Sequence, residues 1–258
     1  MQKTPLYAEE RKQKIMNYIE INARCSVGEL AELFDITPVT IRSDLRDLEK
    51  SGKIIRTHGG AVLRSKTEHE DFVDERKNHD KKFSIAEKAV EFLHDGDSIA
   101  LDTGTTALAF ANAIVNSAIR NLKIITPDVL LIHTLEQRQD FEIISLGGQV
   151  RHGFHFACGD MTLQMLDNFH VDKFFLTTSA IDLVHGLTTP NPGTANLKAK
   201  MISIAKETNV LVDSTKFNKV CFCKICDFDR IERIIVDDGL HEETRKALQQ
   251  LVPAVFLA

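Results

Sequence analysis

The sequence predicts an α/β protein in two parts: an N-terminal winged helix-turn-helix domain, then a C-terminal α/β domain on a mainly parallel sheet. Three observations carry this. Before residue 62, three amphipathic helical segments are followed by a short hairpin pattern. From Phe83 onward, strand and helix patterns alternate, which implies a parallel sheet covered on both faces. At 258 residues the chain exceeds the usual size of one core, so two domains are expected. The expected division is 1–61 for the winged helix-turn-helix, 62–80 for a linker, and 81–258 for the α/β domain.

The first helix is expected over Ala8 to Asn22, with Ile15, Ile19 and Tyr18 as its buried stripe. The second starts at Ser26. Ser26 and Glu29 have capping-box spacing, and Leu30, Leu33 and Phe34 supply an apolar face. Asp35-Ile36-Thr37 forms a turn. Thr37 is a good N-cap and Pro38 suits the first helical position, where a missing N–H costs nothing. The third helix runs from Pro38 to Ser51, with Ile41, Leu45 and Leu48 facing the core and Gly52 as its left-handed stop.

That stripe turns Val39, Thr40, Arg42, Ser43 and Arg46 outward, beside the N-cap Thr37. Arg can bond guanine bidentately, Thr and Ser reach bases or phosphates, and a helix N-terminus favours phosphate. A plain three-helix surface with scattered charges would present the same spacing. Lys53 to His58, the break at Gly59-Gly60 and Ala61 to Arg64 then read as a two-stranded wing. Arg56, His58, Arg64 and Lys66 would set positive charge beside a DNA backbone.

Charge is divided in the same sense. Residues 1–66 hold 12 Lys and Arg against 9 Asp and Glu, a net of +3, while residues 67–258 hold 20 against 28, a net of −8. A basic head on an acidic body fits a nucleic-acid partner better than the whole-chain charge of −5 does. The chain has no run of eighteen apolar residues, so no membrane helix is expected. The opening MQKTPLYAEERKQK has no apolar core, which excludes a secretory signal and makes a cytoplasmic location the expectation. The five cysteines are too few and too odd in number for a disulfide framework. Cys221, Cys223 and Cys226 lie close together, but zinc needs about four ligands and no fourth is near in sequence. They are expected as strand or loop filler, with no metal and no cofactor.

In the C-terminal part, four strand ends carry small, polar or acidic residues. Ligands of parallel sheets bind outside the carboxyl ends of the strands. The first end is Asp102-Thr103-Gly104-Thr105-Thr106, whose hydroxyls and backbone N–H groups could cradle a phosphate where a helix opens. The others are Thr126-Pro127-Asp128, Gly147-Gly148 and Asp213-Ser214-Thr215-Lys216, with Lys216 able to pair with a phosphate. Each alone reads equally as an ordinary cap.

The stretch TPVTIRSDLRDLEKSGKIIRTHGGAVL resembles the signature of the DeoR family of bacterial transcription regulators. Thr40, Ile41, Arg42, Asp44, Leu45, Leu48, Gly52, Arg56, His58, Gly59, Gly60 and Ala61 match it without a gap. Ser43 departs from it, standing where a second Arg is common. The C-terminal part resembles that family's effector domain, similar in fold to ribose-5-phosphate isomerase. LDTGTTALAFA, Gly147-Gly148, Gly159, SAID at 179–182, GLTT at 186–189, Lys198 and VDSTKF at 212–217 carry the likeness. Pro127 and Thr194 depart from it, standing where Asn and an acid are common.

The resemblance implies a repressor of a carbohydrate operon, released from double-stranded operator DNA by a phosphorylated sugar. It puts Asp102, Thr103, Gly104, Thr105, Thr106 and Lys216 nearest that ligand. Dimers or tetramers are expected, because one winged helix makes few contacts and paired half-sites raise specificity. Two other readings are an active sugar-phosphate isomerase with a DNA-binding head and an architectural DNA binder. The isomerases carry an acid-rich D-G-A-D-E segment. Here Thr178, Ser179, Ala180 and Ile181 precede a lone Asp182, so sensing without catalysis is expected.

Overall fold

The structure, a computed structural model, describes residues 8–22, 24–50, 54–57, 59–63 and 78–258. The chain divides into two compact units, Met1–Thr67 and Glu68–Ala258. Expectations for Gly52, Lys53, His58, Arg64, Lys66 and linker positions 64–77 lie outside the described residues. The remaining linker positions, apart from Asn78, belong to regular elements. Val62 and Leu63 extend the wing, and His79 and Asp80 open a helix.

In the N-terminal unit, helix α1 (Ala8–Asn22) buries Ile15, Met16 and Ile19. Helix α2 (Val27–Phe34) begins at a true capping box. Ser26 Oγ accepts from Glu29 N–H at 3.1 Å, and Glu29 Oε2 accepts from Ser26 N–H at 2.8 Å. Asp35 ends it in the left-handed region, φ 55°. Its buried face is Val27 and Leu30; Leu33, expected inside, is 51% exposed. The inward direction is set by the contact with helix α3 (Pro38–Lys50), which buries Ile41, Leu45 and Leu48 as expected. Thr37 Oγ1 accepts from Thr40 N–H at 3.3 Å and so caps α3.

The wing is β2 (Ile54–Thr57) and β3 (Gly60–Leu63), antiparallel, with Thr57 opposite Gly60. A strand that the sequence reading lacks, β1 (Arg24–Ser26), joins α1 to α2 and pairs with β3, giving the order β1-β3-β2. Ser26 lies opposite Gly60, and a Cβ on Gly60 would fall 1.9 Å from Cys25 O. Only glycine admits that approach.

The C-terminal unit alternates as its pattern predicts. Its helices are α4 (His79–Val90), α5 (Thr105–Asn116), α6 (Val129–Leu135), α7 (Asp160–Leu166), α8 (Pro192–Ile204) and α9 (Glu242–Leu248). Strands β4 (Ser98–Leu101), β5 (Lys123–Thr126), β6 (Glu142–Ser145), β9 (Val171–Thr177), β12 (Ala205–Val212), β14 (Arg233–Val236) and β15 (Ala254–Leu257) form one sheet. Its order is β15-β14-β12-β9-β4-β5-β6, and every pair is parallel. Alternate residues feed two cores. Ile99, Leu101, Phe175, Leu211 and Ile235 pack with α4, α5 and α6. Ala100, Phe174, Leu176, Val210, Val212, Ile234 and Val236 pack with α7, α8 and α9.

The helix expected over Asn196 to Glu207 stops at Ile204, and Ala205 to Glu207 belong to β12. There Ala205 pairs with Val171 and Glu207 with Lys173, so ladder bonds override good helix formers. Two small antiparallel additions complete the unit. One is the hairpin β7 (Gln149–Arg151) and β8 (Phe156–Cys158). The other is a sheet of β10 (Ala180–Asp182), β11 (Gly186–Thr189) and β13 (Cys223–Cys226), in that order.

Candidate functional site

In the N-terminal unit the candidate surface is the outer side of α3. Thr37, Val39, Arg42, Ser43 and Arg46 are exposed, Val39 by 72%, and Thr40 is half-buried. The opposite side is pinned from below. Arg11 Nε donates to Asp44 Oδ2 at 2.6 Å and Arg11 Nη2 to Asp44 Oδ1 at 3.0 Å. This bidentate pair buries Asp44, 3% exposed, and raises the Arg11 pKa through the side-chain hydrogen bond. Arg56, on the wing, is exposed; its backbone N–H donates to Glu49 Oε1 at 3.1 Å and its guanidinium lies 3.6 Å from Glu49 Oε2. The pair ties β2 to the last turn of α3 and offsets part of the Arg56 charge.

In the C-terminal unit a cavity opens at the carboxyl ends of β4, β9 and β12. The loop Thr103-Gly104-Thr105-Thr106 forms one wall and opens α5. Gly104 has φ 99° and ψ 178°, a conformation that L side chains avoid, so the loop turns sharply where α5 begins. Four cationic side chains line the same cavity: Lys82, Arg151, Lys198 and Lys216. Asp213 is the one acid among its lining residues. Asp213 Oδ1 accepts from Thr215 N–H at 3.0 Å, which turns it toward its own backbone.

The floor is a buried charge network. Lys198 Nζ donates to Asp102 Oδ2 and, at 3.0 Å, to the Thr177 carbonyl. Asp102 is 0% exposed, and its Oδ2 also accepts from Thr177 N–H at 2.8 Å and Thr177 Oγ1 at 2.9 Å. The hairpin β7–β8 supplies the far wall. Arg151 lies 4.2 Å from the centre of the Phe154 ring, and its Nη1 donates to Thr194 Oγ1 at 2.8 Å. Burial lowers the Arg151 pKa.

Of the residues expected at the ligand, Thr103, Gly104, Thr105, Thr106 and Lys216 line this cavity together. Asp102 lies behind its lining, beneath Lys198. Asp128 supports the loop from outside: its Oδ2 accepts from Gly104 N–H at 3.2 Å, and its Oδ1 caps α6 through Leu130 N–H at 2.9 Å. Burial, the largest influence, pushes the Asp128 pKa up to about 6 despite these bonds.

Thr126, Gly147 and Gly148 are not among the lining residues. They follow β5 and β6, on one side of β4, whereas the cavity opens toward β9 and β12, on its other side. Gly147 and Gly148 instead seat α7, where Thr162 Oγ1 donates to Gly147 O at 2.7 Å. Lys82, Arg151, Phe154, Phe156, Thr177, Thr194 and Lys198 belong to the lining and were absent from the expected set. Lys82 and Lys198 sit inside helices, away from any strand end, and Arg151 sits in a hairpin without a hydrophobic pattern.

Among the described residues no group of His, Cys, Asp or Glu is placed to hold a metal. Burial pushes the Cys226 thiol up to about 12, which leaves it a poor ligand and nucleophile. No helix among the described residues is long and apolar enough to cross a membrane.

Two family models match the chain: a DeoR-like helix-turn-helix domain over residues 11–67 and a DeoR C terminal sensor domain over residues 77–238. An uncharacterized HTH-type transcriptional regulator, YulB of Bacillus subtilis, is 33% identical over 93% of this chain and 93% of its own length. The glycerol-3-phosphate regulon repressor of Haemophilus influenzae is 30% identical over 88% of this chain and 89% of its own. Among solved structures, ribose 5-phosphate isomerase A from Methanocaldococcus jannaschii aligns at TM-score 0.40 and 23% identity, covering 55% of each chain.

Proposed function

Because the chain belongs to the DeoR family of DNA-binding transcription regulators, we propose that it is a repressor of a carbohydrate uptake or catabolism operon. In this reading a phosphorylated sugar in the C-terminal cavity releases the N-terminal unit from operator DNA. The observation that carries it is the grouping of Lys82, Arg151, Lys198 and Lys216 with the loop 103–106 around one cavity. Convergent cations, threonine hydroxyls and a helix N-terminus in the cavity wall suit a phosphate ester on a polar body. The name of the Haemophilus relative supports a phosphorylated polyol or sugar as the class.

On the DNA side, Thr37, Val39, Thr40, Arg42, Ser43 and Arg46 enter the major groove, and Arg56, His58 and Arg64 contact the backbone. The cavity is for binding, not catalysis. Moving a proton between an aldose and a ketose needs a free carboxylate beside the sugar. Asp213 is turned to its own backbone, and Asp182 is engaged by His185 at 2.7 Å, outside the lining. The working form is a cytoplasmic homo-oligomer, dimer or tetramer, that pairs two half-sites.

The test is a thermal-shift panel of phosphorylated sugars. A ligand present at 100 times its dissociation constant adds about 2.7 kcal/mol to the stability of the state it binds. At least one sugar phosphate should raise the melting temperature, its unphosphorylated sugar should not, and Lys216→Ala should abolish the rise. A panel without any shift overturns the sensing reading.

A further inference from the structure

Two consecutive lysines in the first turn of α4 touch two different walls of the cavity. Lys82 lines it, is 5% exposed, and its Nζ donates to Thr105 Oγ1 at 2.9 Å. Lys81 reaches the other way. Its Nζ donates to Ser214 Oγ at 2.8 Å and lies 2.8 Å from Asp237 Oδ1. Asp237, 1% exposed, accepts in turn from Ser214 N–H at 2.5 Å and Ser214 Oγ at 2.9 Å. Ser214 opens the 3-10 turn Ser214–Lys216, which carries Lys216 into the cavity. The start of α4 is therefore fastened to both the 103–106 loop and the Lys216 turn.

Asn78, the residue before α4, has φ 70° and makes no side-chain cap with the described residues. Helix ends without a side-chain cap fray more readily. The contacts that Lys81 and Lys82 make therefore help to order this turn.

We propose that the first turn of α4 is the ligand-responsive element of the C-terminal unit, with Lys82 as its ligand-sensing residue and Lys81 as its anchor. The inference rests on the sensor reading above. A phosphate oxygen is a stronger partner for an ammonium group than a hydroxyl is. An anion on the loop takes Lys82 Nζ over from Thr105, while Lys81 keeps the turn fastened to the Lys216 wall through Asp237 and Ser214. The unoccupied and occupied states thus differ in a specific contact at the first turn of α4, and a ligand needs such a difference to shift any equilibrium.

Hydrogen–deuterium exchange on the full chain tests this, with glucose 6-phosphate, fructose 1-phosphate and inorganic phosphate as probes. Amides of the loop 103–106 and of the first two turns of α4 (79–86) should both change, the latter by about fivefold with the best probe. Lys82→Met should keep protection at 103–106, at a higher probe concentration, and lose the response at 79–86. Lys81→Met, outside the lining, should keep the loop response at saturating probe and also lose that at 79–86. Protection at 103–106 with no response at 79–86 in the wild type overturns this inference and leaves the sensor reading standing. So does a wild-type response at 79–86 in Lys82→Met. No protection at 103–106 with any probe overturns the sensor reading, and this inference with it.

Discussion

Asp44 sits in the apolar stripe of α3, between Ile41 and Leu45, where a carboxylate would be costly unless paired. Arg11, 33 positions away, supplies the pair. Arg11→Met keeps the aliphatic stem and strands the charge, so the N-terminal unit should lose about 3–5 kcal/mol in urea unfolding. A loss under about 1 kcal/mol would mean that Asp44 is not buried as a charge. Asp128 gives a pH signature. Its carboxyl is raised from 3.8 to about 6, so the folded chain keeps a proton that the unfolded chain gives up. Its contribution is therefore full below about pH 4 and lost as pH rises through about 6, at about 1.4 kcal/mol for each unit of separation. The stability difference between wild type and Asp128→Asn should change with pH across that window and be flat above it. Parallel curves from pH 4 to 7 would remove Asp128 as the cause.

Single elements show how far sequence reasoning reaches. The three helices of the N-terminal unit and the strand–helix alternation after Phe83 were legible, because each shows its own period and its own caps. Strand β1 was not: Arg24-Cys25-Ser26 is three residues long and becomes a strand only because β3 pairs with it. The end of α8 was misread for a related reason, since Ala205-Lys206-Glu207 favours a helix locally and the neighbouring β9 decides otherwise. Gly60 records the β1–β3 contact in the sequence, as the residue that permits it. Gly60→Ala should push β1 from β3 and cost about 1–3 kcal/mol, seen as early melting of the N-terminal unit alone. Gly104→Ala acts on the loop 103–106. Forcing an L residue into that conformation costs about 1–3 kcal/mol, so sugar-phosphate affinity should fall by about tenfold or more in calorimetry. Unchanged affinity would separate the loop from the ligand.

At the scale of the molecule, the candidate site was half legible. The loop after β4 and Lys216 could be found because ligands gather at strand ends. The two other strand ends were assigned to the site by the same rule, and they lie outside the lining, on the far side of β4 from β9 and β12. Chain order does not reveal that β9 and β12, rather than β5 and β6, share the cavity with β4. Lys82, Arg151 and Lys198 depended on that tertiary arrangement and carry no local mark. For the DNA surface, Arg42→Ala should relax base preference at one position of a duplex selected from a random pool, and should leave the salt dependence nearly unchanged. An unaltered selected sequence would show that α3 faces DNA differently.

The cavity draws on segments spread from Lys82 to Lys216, while the N-terminal unit ends at Thr67 of a 258-residue chain. That spacing gives the protein a birth order. On the ribosome the helix-turn-helix is complete long before the last wall of the cavity has been made. A message truncated between those points encodes the part that reads DNA without the part that answers to metabolism. Under the function proposed above, premature stop codons in this stretch differ in kind from those nearer the start: they leave the helix-turn-helix without the cavity.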